Sequence, residues 1–136
     1  MTHVRDVMTA GPTAVSPSTP VREAARLMSK EDVGPLPVVE EERLVGIVTD
    51  RDLVIRVLAQ DRNPESTTVG EVASKDVVTV QPDEDLDRAL QLMAHNQIRR
   101  VPVVENERLV GILAQADIAR RAEAEKTGEV VEEISR

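Results

Sequence analysis

The chain has 136 residues, of which 40% are apolar and 31% are charged, a balance typical of a soluble globular protein with its own core. It contains no cysteine and no aromatic residue, which excludes disulfides, thiolate chemistry and the stacking of nucleic-acid bases on aromatic rings. The formal net charge of -8 argues against binding to a phosphate backbone. No apolar run is long enough to cross a bilayer, and the first residues lack the apolar stretch of a signal peptide. We therefore expect no membrane association and a cytoplasmic location.

An internal repeat runs through almost the whole chain. Residues 38–47 (VVEEERLVGI) return 65 positions later as residues 103–112 (VVENERLVGI). The register holds without a gap, and about a third of the aligned positions are identical, which indicates a duplication. Each copy of about 50 residues is too small to fold well alone, so we expect the copies to share a core. The predicted organisation is repeat 1 (4–59), a linker (60–68), repeat 2 (69–124) and an acidic tail (125–136).

The first half of each repeat predicts a helical turn, a short strand and an amphipathic helix. The turns fall at 4–8 and 69–73, and the strands at 13–15 and 77–80. Apolar residues then recur at the spacing of one helix face. In repeat 1 these are Val21, Ala24, Ala25 and Met28, and in repeat 2 Leu86, Ala89, Leu90 and Met93. Thr19 and Pro20 predict a cap followed by the first helical residue.

The second half of each repeat predicts a hairpin and a closing helix. Short β-branched runs separated by polar residues favour hairpins at 36–48 and 101–113. Pro37 and Pro102 are expected at strand starts, where a missing N–H is tolerated. The closing helices are expected at about 50–59 and 115–124. The fold class is therefore α/β (α+β), with a β-α-β-β-α unit used twice.

This order resembles a tandem pair of CBS (cystathionine β-synthase) domains. The resemblance is carried by GIVTDRD at 46–52 and IRRVPVV at 98–104, and it covers residues 4 to 122. The similarity is greatest to small stand-alone CBS-pair proteins of bacteria and archaea, including the hypoxic-response type, to which TDRDLVI at 49–55 points.

The resemblance implies both an architecture and a function. The repeats would pack with pseudo-twofold symmetry as one CBS pair, and such pairs form homodimers through their helices. The protein would be regulatory, with no catalysis and no obligatory cofactor. Its ligand would be an adenosine-containing molecule, AMP, ADP, ATP or S-adenosylmethionine, bound in the clefts between the repeats. A protein partner is implied, because a sensor must pass its signal on.

Two acids are the residues that the resemblance assigns to the ribose of such a ligand. Asp52 and Asp117 open the closing helices, and a carboxylate can accept hydrogen bonds from two neighbouring hydroxyl groups. The alternative is a structural role at the helix N-terminus, because Thr49 and Asp52 have the spacing of a capping box. Position 114 is alanine, so this alternative is weaker for Asp117.

The resemblance assigns the phosphate to Thr49, Arg99 and Arg100. A hydroxyl near a helix N-terminus and a guanidinium both suit an anion. Thr49 is otherwise only an N-cap, and the arginines are otherwise surface ion pairs with the many glutamates. The repeats differ here, because Ala114 replaces Thr49 and the counterparts of the arginines are Gly34 and Pro35. If phosphates are bound, the two clefts are expected to be inequivalent.

The remaining predicted site residues would form the base pocket and the cleft walls, and core packing is the alternative for each. They are Thr13, Val33, Gly34, Val78, Ile98 and Ile112. Two strand glycines, Gly46 and Gly111, either leave room for a ligand or mark a bulge or close packing.

Catalysis and metal binding find little support in the sequence. His3 and His95 are far apart, and no cluster has metal-ligand spacing. No Gly-rich phosphate loop and no nucleophile–base set is present.

The alternative to a ligand-binding regulator is a dimerisation or interaction scaffold whose clefts have lost their ligand. Salt-dependent binding of RNA or DNA would revive the poorer option of a nucleic-acid partner.

Overall fold

The helices and strands follow the same order in both repeats, except that β1 of repeat 1 has no strand counterpart in repeat 2. The computed structural model describes the backbone of residues 1–135 and the side chains of residues 1–125. In chain order the elements are a 3-10 turn Val4–Asp6, β1 Thr9–Ala10, α1 Val21–Glu31, β2 Leu36–Glu40, β3 Arg43–Val48, α2 Asp50–Leu53 continued by a π-helix Val54–Leu58, α3 Val69–Val72, α4 Leu86–His95, β4 Arg100–Glu105, β5 Arg108–Ala114 and α5 Gln115–Ser135. The side chains beyond Glu125, and with them the interactions of the predicted acidic tail, lie outside the described residues.

The chain forms two compact units whose limits differ from those of the repeats. The first unit consists of Pro12–Val78 and Val104–Leu109, and the second of Met1–Gly11, Thr79–Val103 and Val110–Arg136. The opening segment of each repeat therefore belongs to the unit that contains the amphipathic helix of the other repeat.

The core of the first unit is aliphatic, as the absence of aromatic residues requires. Val21, Ala24 and Met28 of α1 pack in it as predicted, whereas Ala25 is exposed. At 100° per residue Ala25 lies at the edge of the apolar face, and a methyl group is too small to reach inward. The other core members are Val15, Leu36, Val38, Val48, Leu53, Val57, Val69 and Val72.

The start of α1 differs from the prediction. Pro20 is the N-cap and Val21 the first helical residue, while the Thr19 hydroxyl accepts a hydrogen bond from the Ser16 N–H at 3.1 Å. The N–H groups of Val21 and Arg22 donate to the carbonyls of Thr67 and Pro64 in the linker. Because the linker supplies these acceptors, the helix needs no hydroxyl cap.

Two predicted strands are reduced to single bridges. Val15 and Val80 each form one parallel bridge, to Val38 and Val103, and their neighbours stay outside any ladder. The prolines lie inside β2 and β4 rather than at their starts. Their carbonyls accept the N–H groups of Val15 (3.0 Å) and Val80 (3.1 Å). In these bonds each proline is the acceptor, so its missing N–H does not interrupt the pairing with Val15 or Val80.

Both hairpins turn through residues with positive φ. Glu41 and Glu42 have φ of 53° and 70°, and Asn106 and Glu107 have 53° and 69°. These values are those of a type I′ turn, in which asparagine is favoured at the first position and glycine at the second. Repeat 2 has the preferred asparagine, whereas repeat 1 has glutamate there.

Exchanging the first turn residue is expected to change stability in opposite directions in the two repeats. Glu41→Asn should raise the Tm by about 2–4 °C, since asparagine relieves left-handed strain of about 0.5–1 kcal/mol. Asn106→Glu should lower it by a similar amount. Thermal unfolding followed by far-ultraviolet circular dichroism measures both, and a shift of the same sign in both variants would contradict the turn assignment.

Strand glycines mark close backbone packing. A Cβ on Gly46 would lie 2.8 Å from the Ser74 carbonyl oxygen, and one on Gly111 would lie 3.0 Å from the Thr9 carbonyl oxygen. Ser74 exchanges two backbone hydrogen bonds of 2.9 Å with Ile47 in the first unit, and Thr9 pairs with Ile112 in the second. Both glycines are therefore closely packed against backbone, and Gly46 also borders a cavity.

The closing helix of repeat 1 is α-helical only to Leu53 and widens into a π-helix, where the Ala59 N–H donates to the Val54 carbonyl at 2.8 Å. Val57 is buried on its inner side, and three apolar residues are exposed on its outer side. Widened turns of this kind are rare and recur at functional sites.

The opening helix of repeat 2, α3, has a capping box in which the N–H and hydroxyl of Thr68 lower the pKa of Glu71.

Candidate functional site

The predicted ligand residues of repeat 1 gather where α1 ends and α2 begins. We call Thr13, Val33, Gly34, Thr49 and Asp52 the first candidate site; all lie in the first unit. After α1 the chain passes through Asp32 in the left-handed conformation (φ 55°). The Gly34 carbonyl then accepts the Asp50 N–H at 3.1 Å, and the Thr13 hydroxyl donates to Glu31 at 3.1 Å. The site is therefore a junction of two helix ends.

Thr49 and Asp52 form a complete capping box. Asp52 Oδ2 accepts from the Thr49 N–H (2.9 Å) and from the Thr49 hydroxyl (3.1 Å), and that hydroxyl accepts the Asp52 N–H at 3.2 Å. The capping interpretation is thus confirmed for both residues. The cap occupies only one carboxylate oxygen, since Oδ1 has no hydrogen bond from the described residues and lies 3.7 Å from Arg56 Nε. Asp52 retains an oxygen that can accept from a ligand.

Arg56 lies next to the first candidate site and was not predicted from the sequence. It is one helical turn after Asp52, and its Nη1 donates to the Val72 carbonyl at 3.1 Å. Two signals could have found it, namely the i, i+4 spacing of an acid and a base and the recurrence of arginine at position 121. Asp50 was missed as well, although a Cβ on Gly34 would lie only 2.9 Å from its Oδ1.

The predicted residues of repeat 2 form an analogous junction in the second unit. We call Ile98, Arg99, Arg100, Ile112 and Asp117 the second candidate site. The Arg99 carbonyl accepts the Gln115 N–H at 2.8 Å, which is the contact that joins Gly34 to Asp50 in repeat 1. The remaining predicted residue, Val78, belongs to the first unit and not to this group.

Asp117 is held differently from Asp52. With Ala114 in place of a hydroxyl cap, its Oδ2 accepts from the Thr9 hydroxyl at 3.2 Å, and its Oδ1 pairs with Arg120. Thr9 is a further residue that was not singled out from the sequence. Asp117 is therefore held by a tertiary contact with β1, whereas Asp52 is held by its local capping box.

No side chain among residues 1–125 neutralises the charge of Arg99 or Arg100. Arg99 is exposed and Arg100 half-buried, and neither forms an ion pair with any side chain among residues 1–125. The alternative of surface ion pairs with glutamates therefore finds no support in the described side chains. Two adjacent guanidinium groups without an acidic partner among the described side chains are a local anion-attracting feature in a protein of net charge -8.

A cavity in the first unit lies apart from these residues. Its volume is about 380 Å³, and its lining includes Pro17, Val45, Lys75 and the strand glycine Gly46, but neither Thr49 nor Asp52. Among residues 1–125 no group of three metal-ligating side chains is present. In the described part of the chain no helix is both long and apolar enough to span a membrane.

A family model and the most similar relatives both point to CBS domains. The CBS domain family matches residues 4–59 and 69–124. The CBS domain-containing protein YhcV of Bacillus subtilis is 43% identical over 99% of this chain and 96% of its own length. Hypoxic response protein 1 of Mycobacterium tuberculosis is 42% identical over 88% of this chain and 85% of its own.

Solved structures of similar fold include ligand complexes. The crystal structure of CBSX2 in complex with AMP has a TM-score of 0.81 and 30% identity, and covers 93% of this chain and 99% of the other. The CBS pair of MJ0100 in complex with 5-methylthioadenosine and S-adenosyl-L-methionine has a TM-score of 0.78 and 32% identity, and covers 92% and 98%. The family match over both repeats and these likenesses confirm the resemblance and the mixed α/β fold. The chain belongs to the CBS domain family and contains two CBS domains.

Proposed function

We propose that this protein is a regulatory module that binds adenosine-containing ligands and signals to a protein partner without catalysing a reaction. The observation that carries the proposal is the pair Arg99 and Arg100 in the second candidate site, which no side chain among residues 1–125 neutralises and whose second member begins β4. The solved relatives that bind AMP and S-adenosylmethionine support the class of ligand. The ribose would be held by Asp52 in the first site and by Asp117 in the second. We place this function in the cytoplasm, where nucleotide levels report on energy state.

We further propose that the two sites take different ligands. The second site, with Arg99 and Arg100, suits the phosphate of AMP, ADP or ATP. In the first site the position of Arg99 is taken by Gly34, next to the Asp50 carboxylate, which forms no ion pair within residues 1–125. A carboxylate there disfavours a phosphate and favours a cationic group such as the sulfonium of S-adenosylmethionine. The first site is therefore assigned to S-adenosylmethionine.

Titration calorimetry with AMP, ATP, adenosine and S-adenosylmethionine tests the proposal. The chain is expected to bind one AMP, and the double variant Arg99→Gln/Arg100→Gln should weaken AMP binding about tenfold to a hundredfold, since a charge-assisted hydrogen bond contributes about 1.5–3 kcal/mol. Adenosine, which lacks the phosphate, should bind both proteins equally.

The matched control is Arg26→Gln/Arg88→Gln, which removes the same charge from exposed positions of α1 and α4. Equal loss of AMP affinity in both double variants would show a general charge effect and no phosphate site. No heat with any of the four compounds, at several temperatures, would favour the scaffold alternative.

The observation that favours a dimer is an apolar patch on the closing helix of repeat 1. Val54, Ile55 and Leu58 are 54%, 41% and 62% exposed. Side chains of this kind are usually covered by a partner when they cluster. We propose that a second copy of the chain covers them in a homodimer.

Light scattering coupled to gel filtration measures the mass in solution. Leu58→Glu is expected to convert the dimer into monomers, because a glutamate in an apolar interface loses its hydration. Val45→Glu, at an exposed position of β3, is the control and should leave the mass unchanged. A wild-type protein that runs as a monomer at all concentrations would contradict the dimer.

A further inference from the structure

Arg56 joins the first candidate site to the opening segment of repeat 2. Its Nε lies 3.7 Å from Asp52 Oδ1, and its Nη1 donates to the Val72 carbonyl at 3.1 Å. Asp52 is on α2 and Val72 ends α3, so one guanidinium spans two elements that are separated along the chain. The planar guanidinium keeps its donors in a fixed relative geometry, so a movement at one end is felt at the other.

A bound ribose would share one oxygen of Asp52 with Arg56. Asp52 Oδ2 already accepts two hydrogen bonds from Thr49, whereas Arg56 is the one partner of Oδ1 among the described side chains. A ribose hydroxyl must therefore bind Oδ1, which is the oxygen that faces the guanidinium. A ligand bound at Asp52 would therefore compete with Arg56 for this oxygen.

The other end of the contact lies at the start of a short stretch of backbone, residues 72–75. The Ala73 N–H donates to the Val69 carbonyl at 2.8 Å and closes α3. Ser74 exchanges two hydrogen bonds of 2.9 Å with Ile47, and its carbonyl lies against Gly46. A shift of the guanidinium would act on the Val72 carbonyl, at the head of this stretch.

We propose that Arg56 is a positioning residue through which ligand binding at Asp52 changes the stability of residues 72–75. This inference rests on the proposed function, because it requires an adenosyl ligand in the first candidate site. It adds a regulatory output, since the opening segment of repeat 2 becomes the part of the chain that senses occupancy.

Repeat 2 contains the same arginine without the link to its acid. Arg121 donates from Nη1 to the Asp6 carbonyl at 3.0 Å, as Arg56 does to Val72. Its Nε, however, pairs with Glu125, and Asp117 is held by Thr9 and Arg120. Arg121 is thus a natural control, because it donates to the opening segment of repeat 1 but is not a partner of Asp117 among the described contacts.

Amide hydrogen exchange measured by NMR, with and without S-adenosylmethionine, tests the inference. In the wild-type protein the ligand should change the exchange rates of the Ala73 and Ser74 amides by about threefold or more. Arg56→Gln should abolish this change while S-adenosylmethionine still binds in calorimetry. Arg121→Gln should leave the change intact and affect only the exchange of Met8, whose N–H donates to the Val4 carbonyl at 2.9 Å.

Each outcome bears on one of the two proposals. If the wild-type chain binds none of the nucleotides, the proposed function fails, and the coupling fails with it. If it binds S-adenosylmethionine and Arg56→Gln keeps the ligand-dependent change, the positioning role is overturned and the proposed function stands. If Arg56→Gln does not fold, Arg56→Lys replaces it, because an ammonium group retains the charge but cannot span both partners. An unchanged ligand response in Arg56→Lys would equally overturn the role.

Discussion

Asp52→Asn is expected to weaken binding of S-adenosylmethionine about tenfold to a hundredfold, because hydrogen bonds to a charged acceptor contribute about 1.5–3 kcal/mol. The amide keeps an oxygen that can accept the Thr49 N–H, so the capping box survives in part. Asp52→Ala would also remove the cap and lower the free energy of unfolding by about 1 kcal/mol. A loss of binding in that variant could then not be distinguished from a loss of folding. Titration calorimetry together with thermal unfolding of the ligand-free protein separates the two effects.

The matched variant is Asp117→Asn in the second candidate site. It should weaken binding of AMP by a similar factor and leave S-adenosylmethionine unaffected. If both variants reduce affinity for the same compound to the same extent, the assignment of one ligand to each site is wrong. If neither variant changes any affinity, the acids are structural only, and the ribose role that the family resemblance implies does not hold for this chain.

Gly46→Ala is expected to destabilise the protein by about 2 kcal/mol and to lower the Tm by about 8 °C. The added methyl group would lie 2.8 Å from the Ser74 carbonyl oxygen. That oxygen accepts the Ile47 N–H at 2.9 Å and cannot move away without breaking this hydrogen bond. Thermal unfolding by circular dichroism measures the loss.

Gly111→Ala provides the comparison within the same molecule. There the methyl group would first meet Met8 Sδ at 2.7 Å, at the flexible part of a side chain, and the Thr9 carbonyl oxygen lies at 3.0 Å. Because Met8 can change rotamer, we expect a loss of only about 1 kcal/mol. A larger loss at Gly111 than at Gly46 would contradict the view that fixed backbone packing makes glycine necessary at these positions.

The repeat and its element order could be predicted because they depend on local patterns. The spacing of Val21, Ala24 and Met28 matches one face of a helix wherever that helix packs. The strands of the hairpins are likewise marked by short β-branched runs, and their observed limits differ from the prediction by at most one residue at each end. The predicted start of α1 was wrong by one residue. The first N–H groups of the helix donate to the carbonyls of Thr67 and Pro64, which are more than 40 residues away in the sequence.

The candidate site could be predicted only at the level of which positions to examine. The motif around Asp52 and the arginine pair before β4 are visible in the sequence, and so is the inequivalence of the two repeats. Their surroundings are not visible, because Thr9, Asp50 and Arg56 acquire their relation to the site through folding.

The sequence by itself determined the duplication, the aliphatic core, the mixed α/β class and the family, since all of these follow from periodicity, composition and motif. Only the tertiary structure decided how each acid is held and which oxygen is left for a ligand. It also decided that the opening segment of each repeat belongs to the compact unit of the other repeat's helix. The physical reason is that a hydrogen bond such as Thr9 to Asp117 joins residues 108 positions apart, and no local pattern in a single sequence records such a pairing.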